Sequence, residues 1–302
     1  MTKTLVRYGY VPLMLIGING AAIGLAHAPW AELLMAALII AAIGLSFMAE
    51  RVLPYTEDWN TSIGDGRRDV AHAFINETSL LLTVLVIPLM AALSPFGERW
   101  PASLPFVVQL LIAIVVTDLG VTLAHLVSHK VAWLWRFHAV HHSVKRFYGF
   151  NGLMKHPLHG ALELAAGTML LLLLGMPKAV AEVLTVCIAV QLLLQHSNAD
   201  YRTGPLRKML ALNEGHRFHH LKWAGIGDVN FGLFTLVWDH LLRTFSFDPQ
   251  RRFSSDDLGM AAKPSYPVGY LAQLAEPFRA TGACQLKTSA DGDSVQTAAS
   301  RS

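Results

Sequence analysis

Runs of apolar residues close to bilayer length leave this chain few ways to fold. Val11–Ala28, Ala31–Ala49, Leu80–Leu93 extended back through Ala71, and Leu104–Ala124 each approach the roughly 20 residues that carry a helix across the hydrocarbon core. Two shorter runs, Ala161–Leu174 and Ala179–Gln195, are joined by Gly175-Met-Pro-Lys178 and read as two further spans or as a hairpin that enters and returns. A large soluble helical bundle is the competing reading, but stretches such as Leu170-Leu-Leu-Leu-Leu174 lack the polar face that a soluble helix needs. The balance of 53% hydrophobic to 15% charged residues, with a mean hydropathy of +0.41, points the same way. The expected fold is an all-α integral membrane protein with about four full transmembrane helices, a shorter two-helix hairpin and a histidine-rich helical cap.

Basic residues orient it. Lys130, Arg136, Lys145, Arg146 and Lys155 follow the fourth run, and Arg202, Arg207, Lys208, Arg217 and Lys222 follow the sixth. The expected outer turns carry only Arg99 and Lys178. The positive-inside rule then places both termini and the cap in the cytoplasm. Lys3 and Arg7 precede a first run that passes almost directly into a second, the pattern of a signal anchor rather than a removed leader. The net charge of +3 reads as topology and attraction to anionic headgroups, and no segment resembles a nucleic-acid module. Cys187 and Cys284 provide no disulfide framework and no C-x-x-C metal site.

Eight histidines fall into three boxes: His125-Leu-Val-Ser-His129, His138-Ala-Val-His141-His142 and His216-Arg-Phe-His219-His220. On a helix, residues three and four apart share a face, so each box can aim its imidazoles at one point. A lone pair at this spacing is commonly incidental, but a solvated surface has no reason to repeat H-x-x-H-H. Four ligands complete one structural zinc site, so eight or more indicate two metals in a shared cage. Ligand type alone leaves iron, zinc and copper open.

The boxes, the segment Trp133-Leu-Trp-Arg-Phe-His-Ala-Val-His-His-Ser143, Asp228-Val-Asn-Phe-Gly232 and Val237-Trp-Asp239 resemble the membrane-bound fatty acid hydroxylase and sterol desaturase family. The resemblance runs from about Trp59 to Pro277. It implies two iron ions held by the histidine boxes, dioxygen as co-substrate, and hydroxylation or desaturation of a sterol, fatty acyl chain or other lipid. Electrons would come from a separate cytochrome b5- or ferredoxin-like protein. It also adds His196, in Gln195-His-Ser-Asn198, as a further ligand, with helix-end capping as its alternative role. The chain departs from the family at His240, which follows Trp238-Asp239 where Arg is usual, and at Asn213-Glu-Gly215, which replaces a Thr-Pro lead.

Outside the boxes, a ligating imidazole usually donates its other N–H to a carboxylate or carbonyl that fixes its orientation. Asp228 is the favoured partner and Asp118, seven positions before His125, the next; Glu214 and Asp239 are further options. Asn198 is a candidate water-mediated contact. His156, in Lys155-His-Pro-Leu-His159, is a candidate ligand or orienting group, with His159 and His240 weaker candidates and His72 facing the cytoplasmic vestibule. His27 is expected to be interfacial and inert.

The chain divides into an N-terminal transmembrane hairpin and loop (1–69), a hydroxylase-like catalytic domain (70–250), a C-terminal surface segment (251–282) with an amphipathic helix over Val268–Ala280, and a disordered tail (283–302). The expected location is the inner membrane in a bacterium or the endoplasmic reticulum in a eukaryote. A metal transporter and a haem-binding electron carrier are the alternatives. A transporter should carry ionisable residues at mid-membrane, whereas here histidines gather at one face. A haem carrier needs axial histidines on facing spans.

Overall fold

The computed structural model describes residues 1–85, 89, 94 and 99–279, and within them the chain is helical without strands. Four of the described helices are long and apolar enough to cross a membrane: α1 (Thr2–Leu25), α2 (Ala31–Val52), α4 (Phe106–Lys130) and α7 (Lys178–Gln195). Between them lie α3 (Gly66–Leu85), α5 (Ala132–His142) and the shorter apolar α6 (Pro157–Leu173). After α7 come α8 (Asn213–His219), α9 (Val237–Leu242) and α10 (Tyr270–Ala275). These helices make the chain a multi-pass membrane protein. The expected hairpin therefore has unequal arms, since α7 reaches spanning length and α6 does not. The third expected span coincides with α3 as far as Leu85, and most of its remainder lies outside the described residues, as does the tail at 283–302.

The sequence pattern explains which helix sits where. α7 is apolar on every side and is buried at every position from Val180 to Gln195, because α1 and α2 cover it on one flank and α4 on another. In α4, Val107, Leu111, Val115, Leu119, Leu123 and Val127 recur every fourth residue and are all exposed, an outward stripe suited to lipid. Its opposite face, with Leu110, Ala113, Thr117, Asp118, Val121 and His125, is buried. That face packs on α6 at very close range. A Cβ on Gly120 would stand 2.1 Å from the Ala166 carbonyl oxygen, so the two backbones meet as small-residue contacts allow in membranes.

Breaks in the helices place the boxes. His125 and His129 occupy the last turns of α4, past the apolar stretch, as expected. Val131 then leaves helical geometry (φ −105°, ψ 111°) and caps α5, folding the second box back toward the first. His138, His141 and His142 lie in the last turns of α5. The return of α7 brings α8 and the third box beside them. Below the site, Arg146 donates to Asp65 at 2.7 Å and the Tyr148 hydroxyl to Asp69 at 2.6 Å, tying the loop after α5 to the start of α3. The expected C-terminal amphipathic helix is short. Leu271 and Phe278 are exposed, while Gln273 is buried and reaches His72 and Ser143.

Gly120→Ala is expected to cost about 2 kcal/mol or more through backbone overpacking, and Gly24→Ala, where a Cβ meets open space, close to nothing. Thermal unfolding of the two purified variants checks this; equal midpoints would contradict the close α4–α6 contact.

Candidate metal centre

Nine buried imidazoles converge between α4, α5, α8 and the end of α7. They form two groups whose nitrogens all lie within 4.8 Å of one another: His125, His129, His138, His142 and His219, and then His141, His196, His216 and His220. Each box contributes to the first group and two of them, with His196, to the second. In the first, the His138 Nε2 is 3.0 Å from the Nε2 of both His125 and His142, and His129 Nε2 is 3.2 Å from His142 Nε2. In the second, His196 Nε2 lies 3.0, 3.1 and 3.2 Å from the Nε2 of His216, His141 and His220. The groups adjoin, with the His142 and His220 rings stacked at 4.7 Å.

Four Nδ1 atoms show which tautomer their rings adopt. His125 Nδ1 faces the Phe231 carbonyl at 3.0 Å, His141 the Met154 carbonyl at 2.9 Å, His196 the Leu192 carbonyl at 3.1 Å and His219 the Val229 carbonyl at 2.9 Å. A carbonyl only accepts, so each of these Nδ1 atoms carries the proton and each Nε2 presents a lone pair. His141 and His196 thus aim two lone pairs at each other across 3.1 Å with no proton between them. The His219 Nε2 is buried with no hydrogen-bond partner. Facing lone pairs repel, and a cation between them removes the repulsion. Two nitrogens each ~2.1 Å from one ion and at right angles to each other would stand ~3.0 Å apart, in agreement with the observed separations. The donor set fits metal.

Burial holds His138, His141, His142, His216, His219 and His220 well below the ordinary histidine value, and the positive neighbours each would face add to the effect. The same burial brings His196 to about 3. Neutral imidazole is the form that binds metal.

The loop after the third box supplies the carbonyls that orient two of these rings, and carboxylates hold that loop. Asp239 accepts from the amides of Phe231 and Gly232 at 2.8 and 2.9 Å. Asp118 accepts from the amides of Leu233, Phe234 and Thr235 and from the Thr235 hydroxyl. Asn230, at φ 55°, donates to the carbonyls of Gly215 and Ser246. Asp118 and Asp239 therefore act on the loop backbone and touch no box histidine. Asp228 is the direct partner: it accepts from His129 Nδ1 at 3.0 Å and from Lys130 at 2.8 Å. Burial alone would raise its pKa, but these two donors bring it down to about 2.

Other candidates lie elsewhere. His156 caps α6, accepting from the Leu158 amide and donating to the Leu274 carbonyl, so both ring nitrogens are committed away from the centre. Asn198 pins the loop after α2 through Thr56 and Asn60 and has no contact with the histidines. His240 stacks on Phe245 and meets the Lys208 carbonyl on the exterior. His72 is buried against Lys155 and Gln273 rather than facing an open vestibule. Glu214 pairs with Arg207 and Arg202. His159 does approach the centre, its ring 4.5 Å from that of His138. The acidic residue beside it, Glu163, follows His159 at the i,i+4 spacing, a signal the histidine boxes overshadow: it is buried, ion-paired with Lys155 and within reach of His138 and His159.

The fatty acid hydroxylase family model matches residues 110–244. Over 253 residues the chain is 34% identical to the ornithine lipid hydroxylase OlsE of Rhizobium tropici, covering 80% of this chain and 75% of that one. The chain belongs to the fatty acid hydroxylase family. It is an oxidoreductase acting on lipid, and the hydroxylase carries its box histidines inside the matched segment. No solved structure matches it.

Because burial depresses these histidines, the unfolded chain takes up protons that the folded hydroxylase refuses. Stability is complete above the ordinary value of 6.5 and falls as pH drops toward about 3 for His196. The metal-stripped protein should lose unfolding temperature steadily from pH 6.5 downward; a midpoint unchanged to pH 4.5 would contradict the buried neutral cluster.

Proposed function

We propose that this chain is a di-iron monooxygenase that inserts one oxygen atom from dioxygen into a C–H bond of a membrane lipid. The observation that carries the reading is the pair of adjoining imidazole groups, with the Nε2 lone pairs of His125, His141, His196 and His219 turned inward. His125, His129, His138, His142 and His219 would hold one iron, and His141, His196, His216 and His220 the other. Bound there, iron with dioxygen and external electrons supplies an oxidant strong enough for an unactivated C–H bond, which side chains cannot attack.

The chain's own residues do the rest. The carbonyls of Phe231, Met154, Leu192 and Val229 and the carboxylate of Asp228 lock ring orientation before any ligand arrives. A wholly imidazole set adds no negative charge, which leaves the metals electron-poor. The apolar flanks of α4 and α7 exclude water from the reacting face. Two openings lead to the centre. A cavity of about 650 Å³ reaches His129, His142 and His219 past Trp135 and carries Arg136, Lys222, Lys263 and Arg279 against Asp228 and Glu276. A second, of about 460 Å³, lies between α3, α4, α6 and α7, on the side from which a lipid can enter between helices. We assign the second to substrate. The basic mouth of the first suits an acidic donor protein, cytochrome b5- or ferredoxin-like, on the cytoplasmic side that the positive-inside rule indicates. Ornithine lipid, named for the relative, is the leading substrate candidate.

The alternatives have no comparable support. The closely set Nε2 atoms leave no slot for a porphyrin, and the histidines sit at one end of the spans instead of along a path.

Lipid mass spectrometry of a host expressing wild type or His141→Ala tests the reading, together with metal analysis of the purified proteins. Wild type should bind about two irons per chain and yield a lipid heavier by one oxygen, and His141→Ala should insert in the membrane, lose metal and yield none. Asp228→Asn should lower metal affinity or turnover by about 10–100-fold. His27→Ala should be silent. Normal turnover by His141→Ala would overturn the assignment.

A further inference from the structure

The substrate-side cavity is apolar except at one place. Of the residues lining its about 460 Å³, only Glu77, Lys155 and Glu163 are ionisable. Lys155 and Glu163 are ion-paired, with side chains 14% and 6% exposed. Glu77 is different: its Oε2 is shut off from solvent and has no hydrogen-bond partner. Two carboxylates against one ammonium leave one carboxylate without a counter-charge in a low-dielectric wall, where it is costly as an anion and holds a proton until a cation arrives. The position is held firmly, since Asn76 beside Glu77 donates to the carbonyls of Leu153 and Lys155 at 3.1 and 3.0 Å. It is also next to the chemistry. Val121, Lys155, Glu163, Leu192 and Leu233 line both this cavity and the narrow cleft bounded by His125, His138, His141, His196 and His216.

We propose that Glu77, Lys155 and Glu163 form a headgroup subsite that selects lipids carrying a primary ammonium together with an acidic group. The ammonium supplies the counter-charge that the Glu77 carboxylate lacks, while the acidic group meets Lys155. The apolar remainder of the cavity, with Leu164, Leu172 and Ile188 in its walls, takes part of the acyl chain. An uncharged or purely anionic headgroup would leave the enclosed Glu77 Oε2 without a partner, so rejection comes from desolvation as well as from lost attraction. This inference rests on the lipid hydroxylase reading and specifies how that site recognises its substrate.

The test is a binding measurement on the purified full-length, metal-containing protein in detergent micelles, read by native mass spectrometry. The probes are N-oleoyl-ornithine and N-oleoyl-norvaline, which differ by the terminal amine. Wild type should retain the ornithine probe about tenfold better, and Glu77→Gln, near-isosteric and uncharged, should keep the wild-type unfolding temperature and lose that preference. Equal retention of the two probes by wild type would overturn the proposal without use of any variant. A preference that survives in Glu77→Gln would overturn it as well. Binding does not need turnover, so a wild type that prefers the amine probe but adds oxygen to no lipid would support the subsite and refute the hydroxylase reading.

Discussion

The repulsion between facing imidazole lone pairs governs this structure. With Nδ1 protons committed to backbone carbonyls, His141 and His196 present bare Nε2 atoms to each other at 3.1 Å, and burial keeps a proton from settling between them. Such an arrangement is costly without a cation. The fold must therefore force the rings together and hold them until metal arrives, and much of the chain outside the spans serves that end.

The forcing is done by backbone. The carbonyl of Met154 comes from the loop before α6, that of Leu192 from the last turn of α7, and those of Val229 and Phe231 from the loop after α8. The first is tied to α3 through Asn76 and the last to α4 through Asp118. Ligand geometry is thus a readout of how the spans pack. The α4–α6 contact at Gly120 matters to the centre even though the glycine touches no histidine, because α4 carries both His125 and Asp118.

Burying a polar centre at the end of an apolar bundle also creates its two approaches. One opens through aromatic and basic residues, among them Trp135 and Lys222, and the other through the lipid-facing helices. The ionic group at Glu77, Lys155 and Glu163 lies where the second route meets the imidazoles.

The sequence by itself determined the helical membrane class and the histidine cage. Apolar runs of bilayer length demand helices, and repeated H-x-x-H-H spacing imposes a common face; both are local periodicities that survive without knowledge of contacts. The resemblance added His196, and second-sphere chemistry suggested Asp228, which does meet His129. Tertiary structure alone decided which polar residues outside the boxes reach the centre. Asp118, Asn198 and His156 had suitable chemistry and proximity in sequence, yet each is consumed by groups other than the box imidazoles, most of them brought to it from distant segments. Glu77 had neither motif nor spacing and Glu163 only its i,i+4 relation to His159, and they gain their place because α3 and α6 pack beside α4. Even the direction of the second box depended on Val131, one extended residue that turns α5 back, since a single dihedral change redirects a whole helix while leaving its periodicity untouched.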